Sequence, residues 1–133
     1  MLRSERCGVN PWFAPAAAHP AKYEVGNGIF VNAVTPPYFL ATKLVAFESR
    51  APDVRSSVDC EDIVALAVEV DDLVSLVDAA DVRADIAALW KRVFEKYRFG
   101  IDDFPDVVDG HLDRRDAHCR GRVVEALEVL ARG

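Results

Sequence analysis

From Thr35 onward, apolar side chains recur at every third or fourth position, the spacing that gives an α-helix one buried face. In the first such segment, Leu40, Leu44 and Phe47 form the apolar stripe. Threonine is a common N-cap, and the proline after Thr35 suits the first helical turn. The sequence therefore predicts a helix that begins after Thr35 and ends near Arg50, before the next proline.

Similar patterns predict a series of helices along the rest of the chain. Asp59 is the predicted N-cap of the second helix, Asp81 begins the fourth, and Gly100 is expected to end it. Residues 100–113 read as a solvated acidic loop that separates the fourth helix from the last. The further predicted helical segments are about 59–70, 71–81, 81–98 and 114–131.

The first 34 residues have a different pattern. Residues 1–21 read as an irregular, proline-rich arm, in which Trp12 and Phe13 should be buried against other parts of the protein. Residues 22–34 predict a β-hairpin that turns at Gly26-Asn27-Gly28. Because two strands alone are marginally stable in water, this hairpin needs a larger sheet, a helix layer or a partner.

These patterns predict an α+β fold that is mostly α. The predicted architecture is an N-terminal arm and β-hairpin followed by a bundle of about four to five helices. Two regions follow from it: residues 1–34, the arm and hairpin, and residues 35–133, the helical domain.

Composition limits the possible partners. The 133 residues are 51% hydrophobic and 29% charged, as in a globular protein, and no apolar run approaches the roughly 20 residues of a membrane span. The N-terminus lacks the apolar core of a secretory signal, and three scattered cysteines suggest the reducing cytoplasm. The net charge of −6 makes duplex DNA an unfavourable partner. Residues 1–50 nevertheless carry five bases and three acids, a net +2, which is compatible with an anionic ligand near that end.

Local signatures of catalysis and of metal binding are weak. His118 and Cys119 are adjacent and His111 lies seven residues earlier, but paired ligands at zinc spacing are missing. The carboxylates of the acidic loop lack the order of a calcium loop. We therefore predict no catalytic residue and no metal ligand. The alternative is an enzyme of another class that uses the acidic loop with His111 or His118, and only the types of these residues support it.

The most informative stretch runs from Pro36 to Asp62. Lys43 and Arg50 share one face of the first predicted helix, and Asp59 and Asp62 are three residues apart, so they also share a face. Two interpretations stay open. A Lys43–Asp62 ion pair would hold the two helices in register, or Lys43 would point at a nucleotide phosphate with Asp62 orienting it.

The same stretch resembles the region after the catalytic core in AbiEii-like nucleotidyltransferases, the toxin-type branch of the minimal nucleotidyltransferases. The matching elements are the run ATKLVAF, residues 41–47, and the D-x-x-D of Asp59 to Asp62. NPWF, VTPPYFL and the GHL around His111 are similar as well, so the resemblance spans about residues 8–131. It implies nucleotide-binding roles for Lys43, Arg50, Asp59 and Asp62, and a hairpin that is a remnant of the catalytic sheet.

One departure from the family pattern bears on activity. Such enzymes bind Mg²⁺ and a nucleoside triphosphate through a D-x-D and a third carboxylate on strands, whereas residues 1–35 contain no Asp. The resemblance therefore implies a C-terminal part that is inactive alone and takes these cofactors only if a separate N-terminal half completes it. We expect action by homodimerisation or by completing such a half. The alternative is a nucleotide- or RNA-binding module that uses Lys43 and Arg50.

Overall fold

The computed structural model describes residues 11–12, 20–26 and 29–133, with side chains for residues 11–12 and 34–133. Strand β1, Pro20–Gly26, pairs antiparallel with strand β2, Ile29–Val34. The register places Pro20 opposite Val34 and shifts between Glu24 and Gly26. Asn27 and Gly28, the centre of the predicted turn, lie outside the described residues, as do Phe13 and most of the predicted arm.

Helix α1 spans Pro36–Arg50, as the apolar spacing predicts, and follows an extended Thr35. Helix α2 spans Val58–Glu69. The predicted N-cap of α2 is wrong: Ser57, not Asp59, caps the helix, and its hydroxyl accepts a hydrogen bond from the Cys60 N–H at 3.0 Å. Serine fits this position because its oxygen reaches a backbone N–H that has no partner within the helix.

Helix α3 spans Leu73–Ala79 and helix α4 spans Arg83–Tyr97. The fourth predicted helix, about 81–98, is confirmed as α4, but the residues predicted to begin and end it, Asp81 and Gly100, do not do so. Asp81 has a positive φ of 59° and precedes the helix, and Arg98, with φ of 58°, takes the left-handed conformation that ends it. Gly100 is therefore not the stop, since Arg98 already accepts the backbone geometry that is usual for glycine.

The predicted acidic loop is mostly helical. A 3₁₀ turn, Ile101–Asp103, leads into helix α5, Phe104–His111, and a second 3₁₀ segment, Arg114–Cys119, precedes helix α6, Arg120–Arg132. Phe104 and Val108, one turn apart, are fully buried, so an apolar stripe anchors α5 to the bundle. The described part of the chain thus has six α-helices, where the sequence predicts about four to five.

The helices form a bundle around one core. Helix α1 packs most extensively against α2 and α4, and α6 packs against α4 and α5. Trp90 contacts Phe104 edge to face at 5.0 Å between ring centroids, and Phe47 stacks on Tyr97 at 5.1 Å. The largest buried side chains are Trp90, Phe47, Phe104, Leu40, Leu44, Ile63, Leu73, Ile86, Leu127 and Leu130.

Trp12 is the described residue of the N-terminal arm that reaches this core. It is half-buried and packs against the bundle, with its ring centroid 6.0 Å from that of Tyr38 at the start of α1. The prediction that Trp12 packs against another part of the protein is therefore confirmed, although its side chain is half-buried and not fully buried.

Candidate functional site

The four residues that the sequence singles out lie together where α1 faces the beginning of α2. Lys43 and Arg50 are two turns apart on α1, and Asp59 and Asp62 occupy the first turns of α2. The short connection at residues 51–57 folds α2 back so that its carboxylates meet the cations of α1. We call Lys43, Arg50, Asp59 and Asp62 the charge cluster.

Arg50 and Asp59 form a two-pronged pair. Arg50 Nε donates to Asp59 Oδ2 at 2.8 Å, and Arg50 Nη2 donates to Asp59 Oδ1 at 2.7 Å. The Asp59 side chain is 2% exposed, whereas that of Arg50 is 65% exposed. Parallel hydrogen bonds between a guanidinium and a carboxylate are charge-assisted and directional, so they fix the end of α1 against the first turn of α2.

Lys43 bridges both carboxylates. Its Nζ lies 2.7 Å from Asp62 Oδ2 and 3.6 Å from Asp59 Oδ1, and it also sits 5.4 Å from the ring centroid of Phe39. The cross-helix ion pair that the spacing predicts between Lys43 and Asp62 is therefore confirmed. The structure adds a second pair, Arg50 with Asp59, that the sequence reasoning did not assign.

The hydrogen bonds from Arg50 hold the pKa of Asp59 below its ordinary value, against the opposing effect of burial, and the Lys43 charge adds to the lowering. The same pairing raises the pKa of Arg50. Asp59 is therefore ionised at neutral pH, and the buried carboxylate is compensated by two cations.

The charge cluster is electrically balanced, because its two cations face two carboxylates. A phosphate group that approached Lys43 or Arg50 would meet Asp59 and Asp62 at the same contacts, so it would have to displace them and leave Asp59 buried without its partner. Breaking one partner of a buried ion pair is costly. The geometry therefore favours a link between α1 and α2 over an open anion site.

Three residues of α4 strengthen the same end of α1, and the sequence reasoning did not identify them. The Tyr97 hydroxyl lies 2.6 Å from the Phe47 carbonyl and 2.7 Å from the Ala51 carbonyl. Lys96 Nζ donates to the Glu48 carbonyl, and Arg92 pairs with the Glu48 carboxylate at 3.0 Å. Because α4 is amphipathic and carries several charged residues, the sequence does not indicate which of them contacts α1 or which group it binds.

The remaining residues with candidate chemistry contact separate partners. His111 Nε2 donates to the Val54 carbonyl at 2.9 Å, whereas His118 Nε2 lies 3.3 Å from the Cys119 sulfur. Asp109 pairs with Arg120, and Asp113 pairs with Arg115 at 3.1 Å. Each of these side chains therefore contacts a different partner, and the acidic segment and the two histidines do not form one site.

Two adjoining clefts lie between the 51–57 connection and α5, and the sequence did not predict them. They share Arg55, Gly110 and His111. Val54 and Val107 line the first cleft, and Ser56, Ser57, Glu61 and Asp113 are among the residues that line the second. Residues of both charge signs line these clefts, so they favour no single class of ligand.

The described residues contain neither a cluster of metal ligands nor a membrane-spanning helix. No group of three or more His, Cys, Asp or Glu side chains is placed to hold a metal ion in the part of the chain that the structure describes. Within the same residues, no helix combines the length and apolar character that crossing a bilayer requires.

Comparison with known proteins gives no family model that matches the chain, no similar curated protein and no similar solved structure. The resemblance to AbiEii-like nucleotidyltransferases therefore rests on the residues quoted for it and stays a prediction.

Proposed function

We propose that this chain is a non-catalytic helical domain that acts by association, either with a second copy of itself or with a separately encoded chain. The observation that carries the non-catalytic part of the proposal is the mutual pairing within the charge cluster, where Arg50 binds the buried Asp59 and Lys43 binds Asp62. These contacts give the four residues a role in joining α1 to α2 that needs no nucleotide. The cytoplasm is the compartment we propose for it.

The two-stranded sheet supports a role in association. In the described part of the chain, β1 and β2 pair with each other and form the whole sheet, so each strand has one edge without a neighbouring strand. Backbone N–H and C=O groups at such an edge readily pair with an added strand. In the AbiEii-like proposal, a separate N-terminal half carrying the D-x-D carboxylates would supply that strand and would bring Mg²⁺ and the nucleoside triphosphate.

A transfer assay tests the non-catalytic part of the proposal. The pure chain is incubated with labelled nucleoside triphosphates, Mg²⁺ and RNA, and we expect no labelled product, because residues 1–35 contain no aspartate to bind the metal ions. Transfer by the pure chain would refute the proposal.

Calorimetric titration with ATP, GTP and CTP tests the alternative, a nucleotide-binding module. We expect no heat of binding, because the cations of the charge cluster are already paired. Heat that the Lys43→Ala variant abolishes, and that a Glu61→Ala control preserves, would replace the proposal with nucleotide binding.

Hydrogen exchange tests the role of the sheet. Peptides that cover residues 20–34 should exchange more slowly at high protein concentration, or after a partner chain is added, because edge amides gain hydrogen bonds. Exchange that is independent of concentration and of added partner would contradict association through β1 and β2.

A further inference from the structure

The outer edges of β1 and β2 differ in how well they can accept a further strand. Natural sheets keep an edge strand unpaired with prolines, charged residues and bulges, and β1 has all of these features. Pro20 has no backbone N–H to donate, and Lys22 and Glu24 carry charge. Between Glu24 and Gly26 the register shifts because β1 has an extra residue there, so β1 bulges while β2 continues without interruption. The outer edge of β1 is therefore a poor template for an added strand.

The outer edge of β2 lacks this protection. The strand, Ile29–Val34, contains no proline and no charged residue, and the bulge of the hairpin lies on β1. Among the residues that the structure describes, no third strand pairs with β2. Val34, the last residue of the strand, is 41% exposed although it is apolar. The edge of β2 therefore offers unblocked backbone groups next to an exposed apolar residue.

We infer that two copies of this chain associate by pairing β2 antiparallel with β2 of the second copy. The sheets of the two copies would then join into one, with both β2 strands at the centre and the protected edge of β1 on each outside. An uncharged strand suits a second copy of itself, because no like charges meet when a two-fold axis brings the same strand together. Two strands alone are marginally stable in water, so the joined sheet also stabilises each hairpin. This inference rests on the proposed function and names the edge for self-association.

The two-fold axis restricts the register of this pairing, because it places one residue of β2 directly opposite the same residue of the second copy. Near the middle of the strand, that residue is Val31 or Asn32. An axis at Val31 would place Asn32, the only polar residue of β2, opposite Phe30 of the second copy. An axis at Asn32 places it opposite itself and places the exposed Val34 opposite Phe30 of the second copy, so that polar pairs with polar and apolar with apolar. We therefore expect the pairing to centre on Asn32.

Sedimentation equilibrium of the full chain tests this edge with a charge at the centre of the pairing. Asn32 lies opposite Lys22 within the hairpin, so Asn32→Glu places a carboxylate opposite a cation and should leave the hairpin intact. Across the two-fold axis, the two introduced carboxylates would lie opposite each other. We expect Asn32→Glu to raise the dimer dissociation constant at least about tenfold. The matched control, Ala21→Glu, adds the same charge to β1 and should leave the constant within about twofold.

A charge exchange tests whether residue 32 meets itself across the interface. The double variant Lys22→Glu with Asn32→Lys has the opposite arrangement of charges from Asn32→Glu, so both proteins keep a favourable pair between β1 and β2. Each protein alone should dimerise weakly because like charges meet at residue 32, and an equimolar mixture should form a heterodimer because opposite charges meet there. Two proteins that each dimerise as tightly as the wild type, or a mixture that stays monomeric, would overturn the inference.

Hydrogen exchange of the wild type, resolved for single amides, is the second measurement, and it does not depend on a variant that folds. In the dimer, the amides of β2 that face away from β1 should exchange more slowly, because they gain hydrogen bonds to the second copy. The amides of β1 that face away from β2 should exchange at an unchanged rate. Slower exchange at the outer edge of β1 in place of β2 would overturn the inference.

The outcomes separate this inference from the proposed function. A wild-type dimer that Asn32→Glu leaves unchanged, or that Ala21→Glu weakens as much, overturns β2 as the edge, while association itself stands. A wild-type chain that stays monomeric at all concentrations also overturns the pairing of β2 with itself. In that case, slower exchange of residues 20–34 on adding a partner chain would still support the proposed function.

Discussion

Replacing Asp59 with alanine removes the buried half of the charge cluster. The variant loses two hydrogen bonds from Arg50, at 2.8 and 2.7 Å, and the contact with Lys43 at 3.6 Å. Hydrogen bonds to charged groups contribute about 1.5–3 kcal/mol each, but Arg50 is 65% exposed and becomes hydrated in the variant. We therefore expect Asp59→Ala to lower the free energy of unfolding by about 2 kcal/mol at pH 7.

The pH dependence of that loss gives a sharper test. Because Arg50 lowers the pKa of Asp59 in the folded state, the folded state binds fewer protons at this site than the unfolded state. The stabilisation is fully present above the unfolded pKa of about 4 and is lost as the pH falls through the folded pKa. The difference between the wild type and Asp59→Ala should be constant from pH 7 to 5 and smaller at pH 3.

Urea denaturation at pH 7, 5 and 3 measures the free energy of unfolding of the wild type and of Asp59→Ala. Asp62→Ala, measured in the same way, is the matched control. Asp62 is 37% exposed and pairs with Lys43 alone, so its loss should cost less than about 1 kcal/mol. Other aspartates with lowered pKa values, such as Asp109, are present in the wild type and in the variants, so their contribution to the pH dependence cancels in the comparison. The role of this ion pair would be refuted if Asp59→Ala lost less unfolding free energy than Asp62→Ala. It would also be refuted if the loss for Asp59→Ala were the same at pH 7 and pH 3.

Three further predictions concern the bundle. Phe104→Ala should lower the unfolding free energy by about 3–5 kcal/mol in urea, because the ring is fully buried against Trp90; a change below about 1 kcal/mol would contradict the anchoring of α5. Cys60 should resist iodoacetamide in the native protein while Cys119 reacts, since burial raises the pKa of the Cys60 thiol to about 12; mass spectrometry of peptides that finds Cys60 labelled before unfolding would oppose this. Tyr97→Phe should cost about 1 kcal/mol in thermal unfolding, because the carbonyls at the end of α1 lose their donor; an unchanged melting temperature would argue against these hydrogen bonds.

The helices with long, regular apolar stripes could be predicted from the sequence. Helix α1 has the predicted limits, because three apolar residues at helical spacing lie between a threonine and a proline-containing stop. Helix α5 could not be predicted in the same way. Only Phe104 and Val108 mark its buried face, and the flanking aspartates give the segment the composition of a solvated loop.

The ends of helices were predicted less well than the helices themselves. Asp59 has the residue type of an N-cap, but its carboxylate is bound by Arg50, and Ser57 takes the capping role. Arg98 ends α4 in a left-handed conformation that no residue type other than glycine signals well. At the start of α2, the contact between Arg50 of α1 and Asp59 decides which of two suitable residues caps the helix.

The sequence by itself determined every described α-helix of residues 36–132 except α5, and it placed Lys43 and Asp62 on consecutive helices where they could pair. The reason is that apolar spacing and charge spacing along a helix are fixed by its 3.6-residue turn. Only the tertiary structure decided that Arg50 binds Asp59 and that the Tyr97 hydroxyl contacts the carbonyls at the end of α1. Those contacts join residues from different helices, and their partners depend on how the helices pack against each other.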